Sequence, residues 1–313
     1  MREPGTLPVE PRDAAPRPEP VLPRLHRASL ALSLAMSLPL GVAAAGARTW
    51  LAAVPFGLAV LCPLAAMRWG ERRRVARWVG LGWPIVLWPA MYDGAVRIVT
   101  AYPERYVDAW LAAADRVIFL GNPPDRWPLG GPVEELANLA YASYYLVIPA
   151  CALWAWRRRG DEALARYGLA LVATFGACAL LWLVAPAGGY HPTGCPPGEP
   201  WGPFTALMRW IYARSPHYAA AFPSSHVALA VAAAALIVRL GGPRWLWPWA
   251  LAVAWSTVQG QYHYGIDTPP AIALGIVGAR WAHGTRGIAI PDFRGELRSI
   301  LRLRPSRPMG GAE

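Results

Sequence analysis

The chain has 313 residues, 55% of them hydrophobic, with 17 tryptophans and a formal net charge of +11. That apolar content, at a mean hydropathy of +0.26, exceeds what a soluble core of this length needs and points to an integral membrane protein. The strongly basic side chains are all arginine, because the chain contains no lysine. Chemistry that needs an amine, such as Schiff-base formation or a phosphate-loop lysine, is therefore excluded.

Residues 1–27 hold Pro4, Pro8, Pro11, Pro16, Pro18, Pro20 and Pro23, which block a helix and predict a disordered cytoplasmic tail. Beyond them, apolar runs of roughly 17–25 residues, the length that crosses a bilayer, predict spans near 28–47, 50–67, 78–100, 136–156, 166–186, 223–240, 245–262 and 267–283. The expected fold class is an all-α membrane protein, a polytopic bundle of about eight transmembrane helices. The expected division places two accessory helices in 28–77, a membrane core in 78–285 and a basic cytoplasmic tail in 286–313. That last tail reads either as a segment drawn to anionic head groups or as a plain stop-transfer anchor. Ala43-Ala44-Ala45 could serve as a signal cleavage site, but the preceding apolar run is long for a signal peptide.

Arginine orients these spans. Segments 1–27, 68–77, 157–166, 239–244 and 280–313 carry 23 of the 30 arginines. Alternate loops are thus the rich ones, which by the positive-inside rule puts both termini in the cytoplasm and the loops 101–135, 187–222 and 261–267 outside. A plasma-membrane protein with an extracytoplasmic working face is the expectation. Because the arginines are divided among several loops, no nucleic-acid partner is expected. Cys62, Cys151 and Cys178 fall inside predicted spans and only Cys195 lies in a loop, so no disulfide framework is implied. Nothing in the sequence fixes an oligomeric state.

Two short stretches carry the chemistry: Pro223-Ser224-Ser225-His226 and His263-Tyr264-Gly265-Ile266-Asp267, each where an apolar run meets a polar loop. The topology derived from arginine brings both to the external surface. Asp267 is four residues after His263, so on a shared helix face its carboxylate accepts from one ring nitrogen, fixing the tautomer and raising the basicity of the other. His263 becomes a candidate nucleophile toward phosphorus. His226 lies at a helix start capped by Ser224 or Ser225, where unpaired N–H groups favour an anion. From there it could protonate a departing oxygen and later activate water or an alcohol. Each element also has a plain reading: an interfacial histidine, an ordinary helix start, a His–Asp pair that satisfies itself. Two histidines and one aspartate without a further well-placed ligand argue against a metal site, and no cofactor is expected.

These residues resemble the phosphatidic acid phosphatase type 2 superfamily. Pro223-Ser224-Ser225-His226 is similar to its Pro-Ser-Gly-His motif, and Ser256-Thr257, His263 and Asp267 keep the spacing of its Ser-Arg-x5-His-x3-Asp motif. The resemblance implies a six-helix phosphatase-type core, with His263 as nucleophile, Asp267 as its partner and His226 as general acid. Thr257 stands where that motif has arginine, Ser225 where it has glycine, and the lysine-containing first motif is missing. The threonine, the segment Tyr190 to Pro197 and the run Leu136 to Arg159 look like the inositolphosphotransferase-like branch, which includes inositol phosphorylceramide synthase. The branch implies transfer of an inositol-phosphate head group.

The missing clamp needs a substitute. Arg97, four residues from Asp93 in the third span, is a candidate phosphate ligand or else a structural partner of Asp93, since charge there is costly to insert. Arg209 and Arg214 are the other candidates, or anchors for the amphipathic stretch Leu207 to Tyr212. Tyr141, Tyr144 and Tyr145 are expected in an aromatic belt. The expected function is cleavage or transfer of lipid-linked phosphate esters through a phosphohistidine, with Ser224, Ser225 and Arg97 binding substrate. A transporter and a noncatalytic lipid-binding protein are the rival readings.

Overall fold

A computed structural model describes residues 21–70, 72–102, 105–121, 123, 130–190, 200–214 and 219–285. The expected tail 286–313, most of the tail 1–27, Cys195 and the segment 191–199 lie outside the described residues. The described part is all-helical: α1 (Val21–Gly46), α2 (Trp50–Trp69), α3 (Arg74–Val86), α4 (Trp88–Thr100), α5 (Asp108–Ile118), α6 (Pro132–Val184), α7 (Pro203–Arg214), α8 (Ser225–Arg239), α9 (Leu246–Gln259) and α10 (Thr268–Gly284), with a 3-10 turn at Gly265–Asp267. By length and composition α1, α2 and α6 can each cross a membrane.

All eight predicted spans are present as helix, with three corrections. Residues 21–27 belong to α1, not to a tail; Pro23 falls in the first turn, where its missing N–H costs no helical bond. The span 78–100 breaks at Leu87 into α3 and α4, because Pro89 cannot donate to the preceding turn. The spans 136–156 and 166–186 form one run, α6, divided at Gly160, whose φ of 79° and ψ of −169° only glycine adopts at ease. Arg77 and Asp161 pair across this turn region.

The centre of the bundle is α8. Every residue from Ser225 to Ile237 is buried, and its alanine-rich surface lets α6, α9 and α10 approach closely. At Gly275 of α10 a Cβ atom would stand 2.4 Å from the Ala228 carbonyl oxygen, so only glycine permits this crossing. With 15 residues, α8 spans only about 22 Å, less than a hydrocarbon core of about 30 Å. Loop segments 219–224 and 260–264 and the 3-10 turn Gly265–Asp267 close one end of the bundle. The helices α5 and α7, absent from the predicted spans, cover that same end. The arginine-rich turns lie at the other.

Candidate active site

The end of the bundle beneath α5 and α7 gathers His226, His263, Asp267, Ser224 and Ser225. All are nearly inaccessible, His226 and His263 at 6% exposure and Asp267 at 0%. The two imidazole rings stand 6.5 Å apart, centroid to centroid.

Ser224 is the N-cap of α8: its hydroxyl accepts from the Val227 N–H at 3.4 Å and lies 3.1 Å from Nε2 of His263. Trp182, fully buried, holds the preceding residue by donating its indole N–H to the Pro223 carbonyl at 3.1 Å. Ser225 follows as the first residue of the helix, so the early N–H groups of α8, which lack intrahelical partners, face the same end as His263.

His263 is not on a regular helix, contrary to the expectation of a shared face with Asp267. It lies in the loop after α9, where the Thr257 carbonyl accepts the N–H groups of Tyr262 and His263, both at 3.1 Å. Thr257 is therefore a loop fastener here: its own hydroxyl bonds back to Ala254, away from the histidines. Asp267 meets His263 from the 3-10 turn, its Oδ2 accepting from Tyr264 N–H at 3.0 Å and standing 3.3 Å from His263 Nδ1. The nearer partner of Nδ1 is the Ala221 carbonyl, at 2.8 Å. Ala221 is fixed in turn by donating its N–H to Ala187 at 3.0 Å.

Both neighbours of Nδ1 can only accept, since one is a carbonyl and the other a carboxylate, so the proton resides on Nδ1. Nε2 then presents its lone pair to the Ser224 hydroxyl. Burial pushes the Asp267 carboxyl up to about 6, partly offset by its bond with His263. Its Oδ1 is buried without a hydrogen-bond partner among the described residues.

His226 sits in a nest of tyrosines. The rings of Tyr141 and Tyr144 lie 4.9 Å from its ring, Tyr92 at 5.9 Å and Tyr145 at 6.1 Å. The Tyr145 hydroxyl is 3.4 Å from His226 Nε2. The expectation of an aromatic belt is corrected for Tyr141 and Tyr144, whose buried side chains turn into the bundle and wall His226; Tyr145 stays 38% exposed while its hydroxyl reaches His226. The helix α7 completes this wall. Tyr212 stacks on Tyr262 with centroids 4.2 Å apart and planes at 12°, and its hydroxyl shares a 2.8 Å bond with that of Tyr141. Glu135 pins the start of α7 by accepting from the Thr205 N–H and hydroxyl at 3.0 and 2.6 Å.

Arg97 is not brought to the histidines. Its side chain is 55% exposed and bonds Asp93 at 2.7 Å, on a face of α4 directed toward the start of α2. Arg214 lies over the Trp210 ring at 4.5 Å on the outward side of α7. Contributors that the sequence reading missed include Tyr92, Trp182, Glu135, Ala221 and Tyr262, and two acids of α5, Asp108 and Asp115. The last two have a signal, since two acids seven residues apart mark one face of a helix whose other residues, Arg116 aside, are apolar.

A buried His–Asp pair facing a second histidine at the end of a helical bundle defines a class of centre suited to moving a phosphoryl group. Residues 128–281 match the PAP2 superfamily, which supports a phosphatase-type activity on phosphate esters. No match was found among curated proteins or among solved structures.

Proposed function

We propose that this chain is a membrane-embedded lipid phosphatase or phosphotransferase that works through a phosphohistidine on His263. The reading rests above all on the protonation pattern at that ring: Nδ1–H is held by Ala221 and Asp267, which leaves the Nε2 lone pair to the Ser224 hydroxyl at 3.1 Å, with the ring of the second histidine 6.5 Å away between centroids. Nε2 attacks phosphorus, forming an N–P bond as the P–O bond to the leaving group breaks, and His226 gives its proton to the departing oxygen. Asp267 stabilises the imidazolium that develops. Water or an alcohol then attacks phosphorus, His226 takes its proton, and the N–P bond breaks to release His263. Ser224, Ser225 and the first N–H groups of α8 receive the phosphate oxygens.

Water as acceptor gives a phosphatase and an alcohol gives a transferase. The threonine at 257 and the run Leu136 to Arg159 favour the inositolphosphotransferase-like branch, and with it inositol-phosphate head-group transfer. The arginine distribution favours a plasma-membrane protein with cytoplasmic termini and this centre on the extracytoplasmic face. Residues 78–285 form the working core, with α1 and α2 accessory. The test is to incubate purified protein with a panel of phospholipids and polyprenyl phosphates, scoring free phosphate against new phosphodiester. His263→Asn, folded and inserted, is expected to abolish both products; undiminished turnover in that variant contradicts the reading.

A further inference from the structure

The loop that carries His263 and Asp267 is not secured by its own neighbours in sequence. Asp115, 2% exposed on α5, accepts the N–H groups of Gly265 at 2.7 Å and Ile266 at 2.8 Å from 150 residues upstream. These are the first two donors of the 3-10 turn that ends at Asp267. Two turns earlier on the same face of α5, Asp108 accepts the N–H groups of Gly188 and Gly189 and the Tyr264 hydroxyl, the first and last at 3.0 Å. Leu111, between the two acids, packs with Ala187, Ala221 and Tyr264 in a small apolar cluster. The Ala221 of that cluster is the residue whose carbonyl holds His263 Nδ1. Gly265 has no side chain because Phe119, directly after α5, occupies the space: a Cβ there would lie 2.6 Å from its ring.

We propose that Asp115 is a positioning residue for the His263–Asp267 pair, capping in trans the turn that presents Asp267 and extending the active centre to a helix upstream of the segment that matches the PAP2 superfamily. The inference rests on the assignment of His263 and Asp267 made above. A buried carboxylate bound to two backbone N–H groups forms charge-assisted bonds that fix a turn more firmly than neutral partners do. Its charge also acts on the pair it positions. Asp267 is faced by His263 and Tyr264 from its own loop, by Asp115 from α5 and, through the Tyr264 hydroxyl, by Asp108; beyond His263, at 6.5 Å between ring centroids, α8 contributes the titratable His226. Of these, Asp115 repels the ionised form of Asp267 and so supports its affinity for a proton, opposing the bond from His263.

The test is Asp115→Asn in the full-length protein, which keeps the shape but removes the charge and one acceptor. The expected result is a drop in kcat of about tenfold or more with KM little changed, an acid limb displaced to lower pH, and faster hydrogen exchange at Gly265 and Ile266. A variant that lost only packing would not move the acid limb. Should Asp115→Asn fail to insert, Gly265→Ala, which drives Phe119 and α5 off the turn, is expected to give the same faster exchange and lower kcat. Wild-type turnover, pH profile and exchange in the substituted protein overturn the proposal. His263→Asn measured in parallel separates the two claims: if it is inactive while Asp115→Asn is unchanged, only the clamp fails, and if it stays active the phosphohistidine reading fails. Exchange needs no turnover, so it decides the clamp by itself.

Discussion

Ser224 Oγ stands 3.1 Å from Nε2 of His263 while accepting from the first turn of α8 at Val227. One hydroxyl thus caps the central helix and touches the nitrogen on which phosphoryl transfer is proposed. Ser224→Ala is expected to cost about 1 kcal/mol of stability, the usual value of an N-cap, and to lower kcat more than this stability loss explains. Ser224→Thr, which keeps the hydroxyl, restores the cap. Melting curves and initial rates on the same preparations check both.

Asp267→Asn places an amide where the carboxylate faces Nδ1–H. Since Ala221 still demands that proton, the amide leaves the imidazolium unsupported, and turnover is expected to fall by roughly a thousandfold or more, the scale seen when a histidine loses its carboxylate partner. The measurement is kcat in the variant against wild type, with His263 chemistry followed by phosphate release.

The same carboxyl gives a pH dependence whose sign can be worked out. Asp267 binds its proton more tightly folded than unfolded, with its folded value at about 6. Its contribution to stability is therefore fully present below the ordinary carboxylate range and is lost as pH rises through about 6. Wild-type melting temperature is expected to decline relative to Asp267→Asn between pH 4 and 7, roughly the window between the two values, while activity rises over the same interval as Asp267 ionises. Parallel slopes for the two proteins contradict this.

Tyr145 offers its hydroxyl to His226 Nε2 at 3.4 Å. Tyr145→Phe retains the ring wall and removes that contact, so it is expected to slow the steps in which His226 gives or takes a proton by about tenfold, with little change in melting temperature. Substrates with better leaving groups, which need less protonation, are expected to show a smaller loss.

Arg97 pairs with Asp93 on an exposed face, and such pairs contribute about 0–1 kcal/mol. Arg97→Gln is expected to leave turnover within about twofold and stability within that range. A large rise in KM would return Arg97 to the substrate site.

Much of this arrangement was legible in the sequence because its causes are local or periodic. Span lengths and the arginine pattern locate the helices and bring residues 226 and 263 to one end, and Pro-Ser-Ser announces a helix start that Ser224 indeed caps. What the sequence hid depends on contacts between distant segments. The inward turn of Tyr141 and Tyr144 depends on His226 packing against them from α8. Besides Asp267, His263 Nδ1 has a nearer partner in the backbone carbonyl of Ala221, which no side-chain pattern reveals. The helices α5 and α7 are too short and too mixed in composition to register as spans, yet they carry Asp115 and Tyr212 to the site. Arg97 drew attention because charge within an apolar run is costly; its neighbour Asp93 offsets that cost locally.

The most direct test of the central claim is to trap the covalent intermediate. Wild-type protein is mixed with a radiolabelled lipid phosphate, quenched within the turnover time, and digested for mass spectrometry under alkaline conditions that preserve phosphohistidine. The expected label is on the peptide containing His263, absent in His263→Asn and accumulating in a His226 variant that cannot activate the acceptor. Rapid turnover with no label on His263, or label on another residue, contradicts the account.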